Sequence, residues 1–161
     1  MPTGPRFLLP NACYHIIVRG NQRQTVFLDD KDYAVYLAKL RRYKKRYGFL
    51  LYGFCLMSNH VHLIGQPKEL ANLAKFMQGI SRSYTAHFNK RYKKIGHLWQ
   101  GRFKSKIITK DGYLIDCAQY IEHNPVRANM VKAAAEYHWS SYRERTLGQN
   151  NTGKLLDELH L

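Results

Sequence analysis

Leu50 to Met57 is a nearly unbroken apolar run, Ser58-Asn59 interrupts it, and His60-Val61-His62-Leu63-Ile64 resumes it at once. Two strand-length apolar segments joined by two polar residues read as a β-hairpin, with strands over about 49–57 and 60–66. The continuous apolar character of the first segment places the pair inside a sheet and not at a frayed edge. Side chains alternate between the faces of a strand, so His60 and His62 share one face while Val61 and Leu63 share the other. A half-exposed polar face is the plainer reading of the tripeptide alone. The apolar flanks favour another: a buried imidazole needs a polar partner, and two on one rigid strand make half of a divalent-metal site. Two ligands do not fill a coordination shell, so a further ligand and the reacting group must come from elsewhere in the chain.

The elements around the hairpin set the fold. Residues 1–11 read as a loosely held arm, and 14–19 as a first strand ended by Gly20-Asn21. Asp29 or Asp30 caps a helix that runs to about Tyr47, where Gly48 stops it. A second helix spans about 69–90, its stripe of Leu70, Leu73, Met77, Ile80, Tyr84 and Phe88 being core. A fourth strand follows over about 102–109. The order strand–helix–strand–strand–helix–strand predicts an α+β, ferredoxin-like split βαβ antiparallel sheet with two helices on one face and the other face free to bind. Further helices follow. One opens at Asp111-Gly112 and ends near His123, with Leu114, Cys117, Ala118 and Ile121 as its buried stripe and Tyr120 and Asn124 together on its flank. Asn124-Pro125 also reads as the cap and first turn of the next helix, to about Glu136. Residues 1–145 read as one domain. Residues 146–161, rich in Gly, Asn and Gln before Leu155-Leu156, are expected to be a mobile tail or a partner contact.

Charge narrows the partner. Lys and Arg total 26 against 11 Asp and Glu, a net charge of +15, with Tyr and Phe scattered among the cations. That combination points to a nucleic acid, whose phosphates attract the cations and whose bases stack on the rings. On the fourth strand Arg102, Lys104 and Lys106 alternate with Phe103, Ser105 and Ile107, which aims a cationic ladder at one side. No apolar run approaches the roughly 20 residues a bilayer span requires, and no signal-peptide pattern opens the chain. Cys13, Cys55 and Cys117 have no metal-site spacing and read as free thiols in a reducing cytosol.

Four segments carry a resemblance: Asn59-His60-Val61-His62-Leu63, Gly96-His97-Leu98-Trp99-Gln100-Gly101-Arg102-Phe103-Lys104, Tyr120-Ile121-Glu122-His123-Asn124-Pro125-Val126-Arg127-Ala128 and Trp139-Ser140-Ser141-Tyr142. Together the chain resembles the single-tyrosine HUH transposases, most closely the REP-associated tyrosine transposases of bacteria. The resemblance implies metal-binding histidines at His60 and His62 and a nucleophile at Tyr120. Relatives with Gln four residues after the tyrosine use it as a third metal ligand. Here Asn124, one methylene shorter, occupies that place, with His123 or Glu122 as alternatives. It further implies Mg²⁺ or Mn²⁺ as cofactor, single-stranded DNA with hairpin or palindromic repeats as partner, and DNA contacts from Arg19 and Arg127 beside Arg102, Lys104 and Lys106. A bacterial cytoplasmic location follows, and a homodimer is compatible with it. The expected chemistry is attack of Tyr120 on a phosphodiester, giving a 5′-phosphotyrosyl link that a second 3′-OH reverses. Two readings compete. A non-catalytic, RNA-recognition-like module would carry stacking aromatics where this chain has His60 and His62. A metal-dependent nuclease using water would not need Tyr120.

Overall fold

The strands β1 (Cys13–Arg19), β2 (Phe49–Met57), β3 (His60–Pro67) and β4 (Lys104–Ile108) form one antiparallel sheet in the order β2-β3-β1-β4. The computed structural model describes residues 8–108, 113–149 and 153–159. Helices α1 (Asp30–Tyr47) and α2 (Leu73–Tyr92) pack on each other and on one face of the sheet. Tyr14, Ile16 and Val18 of β1 and Val61 and Leu63 of β3 meet Tyr36, Leu40, Phe76, Ile80 and Tyr84 there, all buried. The expected ferredoxin-like split βαβ arrangement is present, and the histidine strand is interior to the sheet.

Local chemistry explains the helix ends. The Asp29 carboxylate accepts from the Asp32 N–H at 3.2 Å, and Gly48 ends α1 at φ 66°, a left-handed conformation that costs glycine little. Asp32 is buried yet ionised easily. Burial opposes its charge, but hydrogen bonds from Tyr92, the Leu28 N–H, His87 and Arg91 outweigh that and lower its pKa. The bonds from His87, Arg91 and Tyr92 tie α1 to α2.

The opposite face of the sheet is not free. Helix α3 (Tyr113–Glu122) lays Leu114, Ala118 and Ile121 against Cys13, Cys55, Met57, Ile64 and Ile108. The reason is in β2 and β3, which carry apolar residues on both faces and so need cover on both. What stays open lies toward β4, where Lys104 and Lys106 are exposed. The expected opening of α3 at Asp111-Gly112 lies outside the described residues. The next helix, α4, covers only Asn124–Arg127 instead of running to Glu136. The chain turns left-handed at Asn129 (φ 58°), which overrides the alanine-rich sequence that follows. Strand β4 begins at Lys104, so Arg102 stands outside the ladder it was expected to share.

Residues 153–159 do not behave as the expected tail. Strand β2 is an edge, and an edge of this apolarity must be covered. The C-terminal segment does so: Leu56 N–H donates to the Trp139 carbonyl, Ser141 N–H to that of Phe54, and Asp157 N–H to that of Leu51, each at 2.8–2.9 Å. Leu155 is buried in the main core, and the Asp157 carboxylate accepts from the Leu51 N–H and from Lys44. Helix α5 (Tyr142–Leu147) runs across the expected boundary at residue 145, so the folded unit extends past it.

Candidate active site

His60 stands opposite Arg19 of β1 and Met57 of β2, and His62 opposite Ile17 and Cys55. All therefore share the sheet face on which Lys104 and Lys106 stand, since Lys104 pairs with Ile17 and Lys106 with His15. His62 is only 7% exposed. The two rings meet edge to face with centroids 4.9 Å apart. Each is held through Nδ1: that of His60 by the Asn59 side-chain oxygen at 2.7 Å, that of His62 by Nε2 of His15 at 2.9 Å. In both rings Nε2 is thus the nitrogen that would meet a cation.

Asn59 is itself placed by backbone chemistry. The Gly20 N–H donates to the Asn59 carbonyl at 2.8 Å, and Gly20 also bridges to Trp99. A Cβ on Gly20 would stand 2.4 Å from the Gln24 carbonyl oxygen, so only glycine permits this approach.

Electrostatics keep the pair neutral. Burial, then the charge of Arg19, pushes His60 down to about 4. Burial, then His60, His15, Arg19 and Arg127, pushes His62 down to about 3. Imidazoles that stay unprotonated at neutral pH keep a lone pair for a metal.

Helix α3 packs on β2 and β3 and brings Tyr120 to this side of the sheet. Tyr120 is 62% exposed, further into solvent than a border position would be. The Arg127 guanidinium lies over its ring, 3.8 Å from the centroid, and hydrogen-bonds both the Tyr120 carbonyl and the Asn124 side-chain oxygen. Arg127 thereby clamps Tyr120 and Asn124 into one unit, and its charge reaches His62. Asn124 is the first residue of α4 and not its cap; His123 holds that place without a side-chain cap bond. Glu122 is fully buried and accepts from Ser141 and Arg145, while His123 bonds the Gln119 carbonyl of its own helix and packs edge-on against Tyr142. The Asn124 oxygen in turn accepts from Arg127, and His123, held through Nδ1 as His60 and His62 are, keeps Nε2 for a ligand role. Among the described residues no three His, Cys, Asp or Glu side chains could together hold a metal ion.

Residues 9–124 match the family of IS200-like transposases. The chain belongs to that family. It is an enzyme family that acts on DNA, and within it this transposase resembles the REP-associated tyrosine transposases. A Haemophilus influenzae protein named as a REP-associated tyrosine transposase is 29% identical over 136 residues, 73% of this chain and 77% of that one. A solved structure of a REP-associated tyrosine transposase bound to a REP hairpin superposes with a TM-score of 0.76 at 18% identity, covering 100% of this chain and 95% of the other. The tRNA(His) guanylyltransferase of Saccharomyces cerevisiae also superposes, with a TM-score of 0.59 at 14% identity over 80% of this chain and 64% of that one. One sheet thus hosts unrelated chemistries, and function has to be argued from the site.

The transposase has a second cationic feature. A cleft of about 860 Å³ opens between α2 and residues 96–103, lined by Lys75, Arg82 and Arg102 with Met77, Trp99 and Phe103 and, among the described residues, by no carboxylate. Arg102, absent from the ladder, is found here. The remaining expected contacts divide: Arg19, Lys104 and Lys106 stand on the histidine face, and Arg127 is in the Tyr120 clamp. Sequence reasoning missed His15. The signal was its place in β1, two residues from Ile17 and so on the same face, but the register that brings it to His62 is not visible in either strand alone. Among the described residues no helix is long and apolar enough to cross a membrane. Among the described residues Cys13, Cys55 and Cys117 form no disulfide.

Proposed function

We propose that this transposase cuts and rejoins single-stranded DNA at hairpin or palindromic repeats, with Tyr120 as nucleophile and His60 and His62 as metal ligands. The observation that carries the reading is the histidine pair: two neutral rings on one interior strand, each fixed through Nδ1, on the sheet face that α3 covers with the helix bearing Tyr120. Two imidazole nitrogens with the Asn124 amide oxygen and phosphate oxygens suit Mg²⁺ or Mn²⁺. Such an ion, when bound, would neutralise charge that develops on the scissile phosphate.

The residues of the chain do the rest. The Tyr120 oxygen attacks phosphorus and loses its proton; the bond from phosphorus to the 3′ oxygen breaks, and that oxygen takes up a proton as a free 3′-OH. The product is a 5′-phosphotyrosyl link. A second 3′-OH attacks it, and the phenol oxygen leaves and is reprotonated, so the strand is rejoined with no ATP. Arg127 holds the Tyr120 ring and Asn124 in place before attack. Arg19, Lys104 and Lys106 would meet phosphates on the open part of the histidine face, and the carboxylate-free cleft would take an unpaired stretch of strand, its cations on phosphates and its rings on bases.

The test is direct. Incubation with end-labelled single-stranded hairpin DNA and Mg²⁺ or Mn²⁺ is expected to give a protein–DNA band that survives denaturation. Metal-dependent cleavage without any such band would favour a water-using nuclease.

A further inference from the structure

We propose that His15 is the positioning residue that prepares His62 for metal, an inference that rests on reading His60 and His62 as the metal pair. The His15 Nε2 and His62 Nδ1 atoms are 2.9 Å apart, and the rings lie edge to edge with centroids 5.1 Å apart and 27° between planes. One proton lies between two ring nitrogens. Which ring owns it decides what His62 can do.

If His62 Nδ1 carries the proton, it donates to His15 and its Nε2 keeps a lone pair directed away from the bond. If His15 carries it, neutral His62 must place its own proton on Nε2, and that nitrogen is closed to a cation. Free neutral imidazole in water favours the Nε2–H form, which is the wrong one for His62. A partner that accepts at Nδ1 is therefore needed, and His15 fills that role through Nε2 when its own proton is on Nδ1. His60 shows the same device with another acceptor: its Nδ1 meets the Asn59 side-chain oxygen, which can only accept. Two ligands with two different acceptors, both at Nδ1, leave both Nε2 atoms as donors. His15 is not itself a third ligand in this arrangement, because its Nε2 is spent on His62.

Placement supports a built contact over a chance one. His15 is set by β1–β3 pairing opposite Ile64 and by β1–β4 pairing opposite Lys106, two positions along β1 from Ile17, which pairs with His62. Three strands thus fix where its ring lies. A side chain held this way costs little further ordering when the cation arrives.

The test uses the full chain and two substitutions. His15→Leu keeps apolar bulk and removes the acceptor; His15→Gln keeps an acceptor at a similar reach. In metal-free protein, ¹⁵N–¹H correlation of ring nitrogens is expected to show the proton of His62 on Nδ1 in wild type and His15→Gln, and on Nε2 in His15→Leu. Mn²⁺ affinity is expected to fall about 10- to 100-fold in His15→Leu and to recover largely in His15→Gln. Thermal midpoint and metal-free hairpin binding should be unchanged in both. A wild-type proton on His62 Nε2, or His15→Leu binding Mn²⁺ as wild type does, would overturn the proposal. So would a His15→Leu defect that His15→Gln fails to rescue, since that marks ring packing alone. If His60→Ala and His62→Ala also bind Mn²⁺ normally, the failure lies in the underlying metal reading instead.

Discussion

The two faces of strand β3 do opposite things with one backbone. On one face Val61 and Leu63 are completely buried in the core beneath α1 and α2. On the other, His62 is buried and His60 half-buried, yet they carry polar nitrogens that each need a partner. Burial on the first face is the source of stability. On the second it depresses the histidine pKa values and so produces ligands, at a cost that the first face offsets. A sheet built this way can hold a reactive constellation in place because the opposite side is closely packed.

Substitutions on each face separate the two roles. The largest effect is expected from His60→Ala or His62→Ala, which should cut strand cleavage at least about a hundredfold while leaving the thermal midpoint and DNA affinity nearly unchanged. Wild-type cleavage by either variant would erase the distinction between the faces. Next, Leu63→Ala should cost about 2–5 kcal/mol in urea unfolding, with the site intact in molecules that remain folded. A third experiment probes the histidine face through pH. Both histidines have folded-state values, about 4 and about 3, below an unfolded value near 6.5. Between those limits the unfolded chain binds more protons, so stability is full above about pH 6.5 and falls as pH drops toward 4. The double variant His60→Ala, His62→Ala should lose much of that slope; an unchanged slope would assign it to other groups. The smallest effect concerns Lys104 and Lys106. Changing both to Gln should lower the salt dependence of log K for single-stranded DNA by roughly 0.7 for each phosphate no longer neutralised, and an unchanged slope would make them a solvated edge.

Most of the fold was legible because it is local. Strand periodicity, the Asp29 cap and the Gly48 stop each act within a few residues, and the hairpin around Ser58-Asn59 placed His60 and His62 on one face. What escaped depends on distant partners. His15 became a neighbour of His62 only through β1–β3 register. Residues 153–159 read as a tail because their role, closing the β2 edge through Asp157 and burying Leu155, is invisible without that edge. Helix α4 stops at Arg127 since Asn129 turns left-handed, against an alanine-rich sequence that favours continuing. The Arg127 clamp on Tyr120 and Asn124 shows the middle case. Its spacing of three from Asn124 was readable, but the seven-residue reach to the Tyr120 ring needed the break between α3 and α4.

Tyr120 carries the proposed mechanism. The most direct measurement is peptide mapping of the adduct formed on single-stranded hairpin DNA in Mg²⁺ or Mn²⁺, run beside the Tyr120→Phe variant. The ring stays, so stability should change by no more than about 1 kcal/mol, the worth of one hydrogen bond, and hairpin binding should persist. With Tyr120 as nucleophile, wild type yields a phosphonucleotide on the peptide containing Tyr120, and both adduct and cleavage are absent in the variant. An adduct on another tyrosine, or metal-dependent cleavage persisting in Tyr120→Phe, would contradict that role.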